Sequence, residues 1–364
     1  MRIATTLLFM ALTAAGNLPA ADRLALEYFY DKDESALSLY GLGFADDRRG
    51  MAGGVLTENG RTRGAALVTS DGGRSWALHD LPAPAAWLYV DARSAWFGDG
   101  DRVWRSSDFG SSWVRARDLA RISRVYFADA QRGWAIGWRD TVFATSDGGE
   151  HWRAVDTGTD KSRRDAISYA DMVFIDGQHG LIAGGTRPAR RSSRLPDWMD
   201  PAAAPRETPS VIVLLQTGDG GNTWTQSKAS VFGYVSRISA APDGTGLALI
   251  EFTGRFSYPS EVHALNLKTG ASVRAFRRED RAVTDVALAN GTAWLVAVEP
   301  PGQMLQAPIP GKLKLLRSTD LSKWTEIEAD YRAVATRAVC AWGAGRLWVA
   351  TDTGMLLAVR PGAE

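Results

Sequence analysis

Two carboxylates raise the question of chemistry first. Glu251 closes the apolar run Ala248-Leu249-Ile250-Glu251, and Glu299 closes a matching run, Val296-Ala297-Val298-Glu299. Carboxylates about 5–10 Å apart are what glycoside hydrolysis needs, one as acid and the other as base or nucleophile. The competing description is a pair of solvated or arginine-paired groups at strand ends, and it is the one expected here. The remaining reactive types offer less. The four histidines, His79, His151, His179 and His263, are scattered, with no pair at metal-ligand spacing, so neither a metal nor a cofactor is expected. No nucleophile elbow, phosphate loop or dinucleotide fingerprint occurs. Cys340 is the single cysteine and cannot form an internal disulfide. Within Ala338-Val339-Cys340-Ala341-Trp342 it reads as a small buried hydrophobe. The chain is therefore expected to be non-enzymatic, with a hydrolase using Glu251 and Glu299 as the alternative.

Arginines suggest binding instead. Arg187, Arg190, Arg191 and Arg194 crowd the segment 186–209, and Lys161, Arg163 and Arg164 lie shortly before it. A guanidinium presents forked donors that suit carboxylates and phosphates. Asp197, Asp200 and Glu207 partly neutralise the segment, so a merely solvated loop is the competing description. The whole chain balances 42 basic against 41 acidic residues, net +1. That lacks the positive field of a nucleic-acid binder, and the expected partner is a protein with acidic groups.

The elements that must position these residues repeat along the chain. Four segments align without gaps: Thr69-Ser70-Asp71-Gly72-Gly73-Arg74-Ser75-Trp76, Ser106-Ser107-Asp108-Phe109-Gly110-Ser111-Ser112-Trp113, Thr145-Ser146-Asp147-Gly148-Gly149-Glu150-His151-Trp152 and Thr217-Gly218-Asp219-Gly220-Gly221-Asn222-Thr223-Trp224. A fifth, Ser318-Thr319-Asp320-Leu321-Ser322-Lys323-Trp324, is one residue shorter. Asp bonding its own backbone and Gly at positive φ make a tight turn, and the Trp opens the outgoing strand. An Asp repeated on every hairpin is structural, since a catalytic acid is needed once. A second hairpin precedes each box, as in Val125-Tyr126-Phe127-Ala128-Asp129 leading to Gly133-Trp134-Ala135-Ile136-Gly137. Two hairpins in series give four antiparallel strands, one blade of a propeller.

Box spacings of 37 and 39 residues (108 − 71 and 147 − 108) match one blade each. The count comes to seven blades, near 39–80, 85–116, 121–156, 166–228, 234–277, 282–328 and 334–360, with six and eight left open. The fifth box has decayed to Lys268-Thr269-Gly270, and the last blade has three strands of its own. The stretch 24–30 is expected to supply its fourth and close the ring. Trp96, Trp134, Trp294 and Trp348 are expected in the core; Trp138 and Trp198, in loops, are contact candidates.

These motifs resemble the Asp-box, or BNR-type, β-propellers, and the run 133–152 is similar to the repeat of the photosystem II assembly and stability factor family. The resemblance implies an all-β propeller, a non-enzymatic role in assembling or stabilising an envelope or membrane complex, and a basic surface patch. The sialidase signature Arg-Ile-Pro is missing, Arg121-Ile122-Ser123 being the nearest text.

The start of the chain reads as an export signal over 1–20. Arg2 precedes a short apolar run, and Ala20 and Ala21 offer a cleavage site, so a periplasmic or secreted protein is expected. No later run is long enough for a membrane span. The mature chain, 21–364, is expected to be one domain with an insertion at about 186–209. In a propeller, links from second to third strand share a face with the links between blades. The long connections 186–209, 253–260 and 300–311 should therefore form one rim, with Arg163, Arg164, Arg187, Arg190, Arg191 and Arg194 as the partner-binding set.

Overall fold

A computed structural model of the chain describes residues 21–186, 209–252, 256–300 and 309–362. Residues 1–20, read above as an export signal, Trp198, the four arginines of the insertion, and the stretches 253–255 and 301–308 of the two other long links lie outside the described residues. Within them the regular structure is all strand except one short 3-10 helix, Lys161–Ala166. Among the described residues no helix is long and apolar enough to cross a membrane.

Consecutive strands pair antiparallel into four-stranded sheets spanning 35–81, 87–115, 122–154, 167–231 and 234–277. The four strands within 282–329 pair in the same way. Three more follow: Ala338–Gly343, Arg346–Thr351 and Met355–Arg360. The N-terminal strand Arg23–Phe29 lies antiparallel to Met355–Arg360. It also touches Thr325–Ala329 in parallel, through Arg23↔Glu328 and Leu24↔Ala329. That contact, unforeseen in the sequence, fuses the last two groups of strands, with the short Val334–Ala335 paired to Gly311–Ser318, into one nine-stranded array.

Every first strand turns inward. Residues from Ser35–Phe44, Trp87–Val90, Ile122–Phe127, Ile167–Phe174, Tyr234–Ala240, Ala282–Ala289 and Ala338–Gly343 line one central cavity of about 250 Å³. A ring of radial sheets around a channel is a β-propeller.

The repeated turn has one geometry throughout. In the first sheet Thr69 Oγ1 donates to Asp71 Oδ1 at 2.8 Å and accepts from the Gly73 amide at 2.9 Å. The same Oδ1 accepts the amides of Arg74 and Ser75, and Oδ2 accepts the Ser75 hydroxyl at 2.6 Å. Asp108, Asp147 and Asp219 accept the residue four positions on in the same manner. Asp320, in the shorter turn, accepts the Ser322 and Lys323 amides instead. These turns meet the hairpin turn between first and second strands: the amides of Gly72, Gly148 and Gly220 donate to the carbonyls of Arg48, Gln131 and Gln178. Both sets of short turns therefore occupy one face, and the strand ends that the long links join lie at the other.

Each turn also presses on the preceding sheet. Trp152 meets Trp96 edge-on at 5.9 Å, Trp224 meets Trp134 at 6.5 Å, and Trp76 meets Trp348 at 5.4 Å. Trp324 meets Phe276 at 5.9 Å, whereas Trp113 packs on Phe97 of its own sheet. The strand tryptophans Trp96, Trp134, Trp294 and Trp348 are buried, as the sequence indicates. The second glycine of the turn is fixed twice over. Gly221 has φ +79°, and a Cβ there would lie 2.4 Å from the Trp134 ring. Gly221→Ala is accordingly expected to cost about 2–4 kcal/mol from left-handed backbone strain and overpacking together, read by denaturant unfolding. Gly270 also has positive φ but no atom within 4 Å of a Cβ. Gly270→Ala should cost markedly less, from the backbone term alone.

The turn carboxylates carry a pH signature. The Ser112 hydroxyl and amide hold Asp108 at about 2, the Thr223 hydroxyl and amide hold Asp219 at about 2, and the Lys323 and Ser322 amides hold Asp320 at about 2. Asp71 and Asp147 are held well below the usual carboxylate range by the same kinds of donor. A depressed native pKa contributes stability above the unfolded value, about 3.9, and that contribution is lost as pH falls through the native value. The urea midpoint is thus expected to fall between about pH 4 and pH 2. Asp219→Asn should be less stable than the parent at pH 7, and the difference should shrink towards pH 2.

Candidate partner-binding face

Among the residues named from the sequence, Glu251, Glu299 and Arg164 fall into separate ion-pair groups at the ends of the strands that the long links join. Glu251 accepts the Tyr234 hydroxyl at 3.1 Å and pairs with Arg337 Nη2 at 3.1 Å. Glu299 follows the strand Thr292–Val298 and faces Lys314 Nζ at 3.3 Å and Arg281 Nη1 at 3.9 Å. Arg281 and Lys314 also bind Glu326, at 2.9 and 3.0 Å. The two glutamates share no partner, and each faces its own cations. This is the arginine-paired arrangement set against catalysis above.

Arg163 and Arg164 sit on the helix Lys161–Ala166, which Asp160 caps by accepting the Ser162 amide at 2.8 Å. They diverge. Arg163 is exposed, while half-buried Arg164 turns inward to Asp140 at 3.5 Å and Asp156 at 3.6 Å. Asp140 is buried and accepts the hydroxyls of Tyr169 and Thr157, both at 2.7 Å, and of Thr159 at 3.2 Å. Arg164 thus holds the link between two sheets together, and Arg163 is the one presented to solvent. Trp138, one of the two contact candidates, is 40% exposed on the same side of the molecule.

The structure adds residues that the sequence reading missed. Four inner strands carry a β-bulge followed by a charged residue: Arg124, Asp171, Arg237 and Asp285. They alternate in sign around the channel. Arg124 Nε lies 2.9 Å from Asp171 Oδ1, and Arg237 Nε lies 3.3 Å from Asp285 Oδ1. The carboxylates are saturated by backbone as well. Asp171 accepts the amides of Met172 and, in the next sheet, Ile238; Asp285 accepts those of Val286 and, in the next sheet, Cys340. Burial pushes the Asp285 carboxyl up against the pull of Arg237. It pushes Arg124 down against the pull of Asp171. Arg124 Nε is buried, and its approach to Asp171 is an ion pair without the geometry of a hydrogen bond. Cys340, expected in the core, is only partly buried and faces this channel.

An alignment of the inner strands would have exposed the pattern: Ser123-Arg124-Val125, Ala170-Asp171-Met172, Ser236-Arg237-Ile238 and Thr284-Asp285-Val286. Beside Glu251 and Arg337 lies an aromatic group. Phe252 meets Phe256 at 4.7 Å and Tyr258 at 5.2 Å, Phe232 is 44% exposed, and Arg277 stacks over Tyr258 at 4.1 Å.

The fold and the site thus define a β-propeller with a charged channel and one face of long links. No family model matches the chain. A photosystem II assembly lipoprotein, Ycf48, from a Picosynechococcus species is 29% identical over 135 residues, covering 33% of this chain and 40% of that protein. The match therefore spans well under half of the relative's length. Among solved structures, YCF48 bound to D1 peptide aligns over 92% of this chain and 99% of its own, with TM-score 0.57 and 12% identity. YCF48 from Cyanidioschyzon merolae covers 93% and 98%, with TM-score 0.56 and 16% identity. The WD40 domain of Neurospora crassa Pan2 covers 95% and 99%, with TM-score 0.60 and 10% identity. At such identities these likenesses establish the propeller fold.

Removing one member of a buried pair strands the other. Asp285→Ala leaves Arg237 uncompensated and two amides unpaired, and it is expected to cost about 3–5 kcal/mol in denaturant unfolding.

Proposed function

We propose that the chain is an exported, seven-bladed Asp-box propeller that binds an acidic segment of a protein partner on its long-link face, without catalysis. The observation that carries this reading is the arrangement of that face: exposed Arg163 stands on the side from which the arginine-rich insertion leaves the sheet 167–231. Seven inner strands around one cavity support the blade count. The repeated carboxylate turn supports the Asp-box assignment, and the antiparallel seat of Arg23–Phe29 supports closure by the N-terminal strand. The separate cation partners of Glu251 and Glu299 weigh against hydrolysis. A solved relative in fold is bound to a peptide, and a relative in sequence is an assembly lipoprotein. Both accord with a scaffold that helps to assemble or stabilise an envelope or membrane complex. Asp22 pairs with Arg317 at 2.5 Å at the very start of the first strand, which accords with cleavage near Ala20.

Deleting residues 190–204 is expected to leave the melting temperature nearly unchanged and to abolish capture of the native partner in cross-linked pull-downs from the envelope. Arg163→Glu should weaken capture and reduce its sensitivity to salt. Retained capture in both variants would move the site to the opposite face. N-terminal sequencing of exported protein should begin between Asn17 and Asp22.

A further inference from the structure

Between neighbouring sheets the space is filled, seam after seam, with help from an indole. Six of the seven hydrophobic clusters among the described residues include at least one tryptophan. The seventh, between the sheets 167–231 and 234–277, has none. The cause is local. The turn Asn266-Leu267-Lys268-Thr269-Gly270 keeps a carbonyl-type cap, Asn266 Oδ1 accepting the Lys268 and Thr269 amides at 3.0 Å each. It lacks the tryptophan that the other turns place after theirs, and Leu267 reaches the seam only as a partly buried side chain.

A cavity of about 280 Å³ occupies this seam. Its walls include Leu181, Ile212, Val235, Ala248 and Ile250, and it reaches the turn at Leu267 and Gly270. The walls are mostly aliphatic, with Gln216, His263, Asn266 and Ser272 as their polar members, and an apolar cavity of about 150 Å³ already admits benzene. The molecule shows what suits such a gap, because elsewhere the same step in the repeat supplies an indole lying edge-on to its neighbour.

We propose that this seam is a receptor for a tryptophan side chain presented by a protein partner. The inference rests on the chain being a protein-binding scaffold. It places an apolar anchor site in a seam, separate from the basic residues of the long-link face. A buried aromatic anchor contributes affinity that scattered surface arginines do not, since exposed ion pairs are weak and screened.

The test uses the full chain and N-acetyl-tryptophanamide as probe, followed by methyl NMR. Saturable shifts are expected at Leu181, Ile212, Val235 and Ile250, unchanged by salt and by deletion of 190–204. N-acetyl-alaninamide should produce none. Ala248→Phe fills the cavity and should weaken the probe at least about tenfold. Leu267→Trp supplies the missing indole within the chain and should block the probe while preserving the melting temperature, which covers the case of an Ala248 variant that does not fold. The proposal is overturned if no saturation is reached at the probe's solubility limit, or if binding persists unchanged in both folded variants. Those outcomes leave capture through the basic face intact, so failure here and failure of the scaffold reading are distinguishable.

Discussion

An indole lying against the preceding sheet is the contact that recurs at four of the seams and sets the spacing of the sheets there. The first five sheets are separate arrays, so no strand ladder carries one into the next. What crosses those seams is apolar packing, and its position is set by a carboxylate. Asp147 gathers the Thr145 hydroxyl and the amides of Glu150 and His151, and so fixes where Trp152 leaves the turn. Gly149 allows the turn to lie on Trp96, since a Cβ there would come within 2.7 Å of its ring. Polar geometry at the surface thereby controls apolar contact in depth. Arginine supplies a lighter bond between sheets: Arg93 and Arg132 donate to the carbonyls of Asp129 and Gly177 in the sheets that follow.

Much of this was legible because the repeat writes it several times. The four gapless boxes located the hairpins, and the second hairpin motif completed each sheet. The strand tryptophans Trp96, Trp134 and Trp348 were recognisable as core from their apolar neighbours. The parallel touch between Arg23–Phe29 and Thr325–Ala329 was not legible, because two residue pairs leave no pattern in sequence. Nor were the channel charges, as long as each strand was read by itself. A single charged residue in a mostly apolar strand reads as an ordinary outward-facing position. Only the bulge preceding it turns Asp171 and Asp285 inward, and a bulge is set by register rather than by residue type. Glu251 and Glu299 were found at strand ends as expected. Their cations, Arg337 and Lys314, come from elsewhere in the chain and could not be assigned from the local runs.

The channel charges do structural work of a particular kind. Each aspartate holds one amide of its own strand and one of the next, so it locks the relative height of two neighbouring inner strands. A shift of one residue would break the bond to the next strand and leave a buried carboxylate short of a donor, an expensive error in an apolar surround. Thr284 clips the junction that Asp285 holds, through the carbonyl of Ala338, and Ser123 clips the junction of Arg124 with Asp171, through the carbonyl of Tyr169, at 2.8 Å each. The long-link face is in this way built on strands whose register is settled at the axis, and residues such as Arg337 and Tyr234 inherit that precision.

The seat of Arg23–Phe29 has a consequence for how the chain reaches this state. Glu27 binds Arg360 across 333 residues, and Asp22 binds Arg317 across 295. Closing so long a loop adds entropy only slowly with length, but it cannot begin before the far end exists. On a ribosome, the first strand to emerge is one of the last to find its neighbour. Until then it is a solitary edge, and the last sheet to be made lacks an outer strand. That pairing is therefore a late one, and until it forms the edge of Met355–Arg360 stands open to pairing with another copy of the chain.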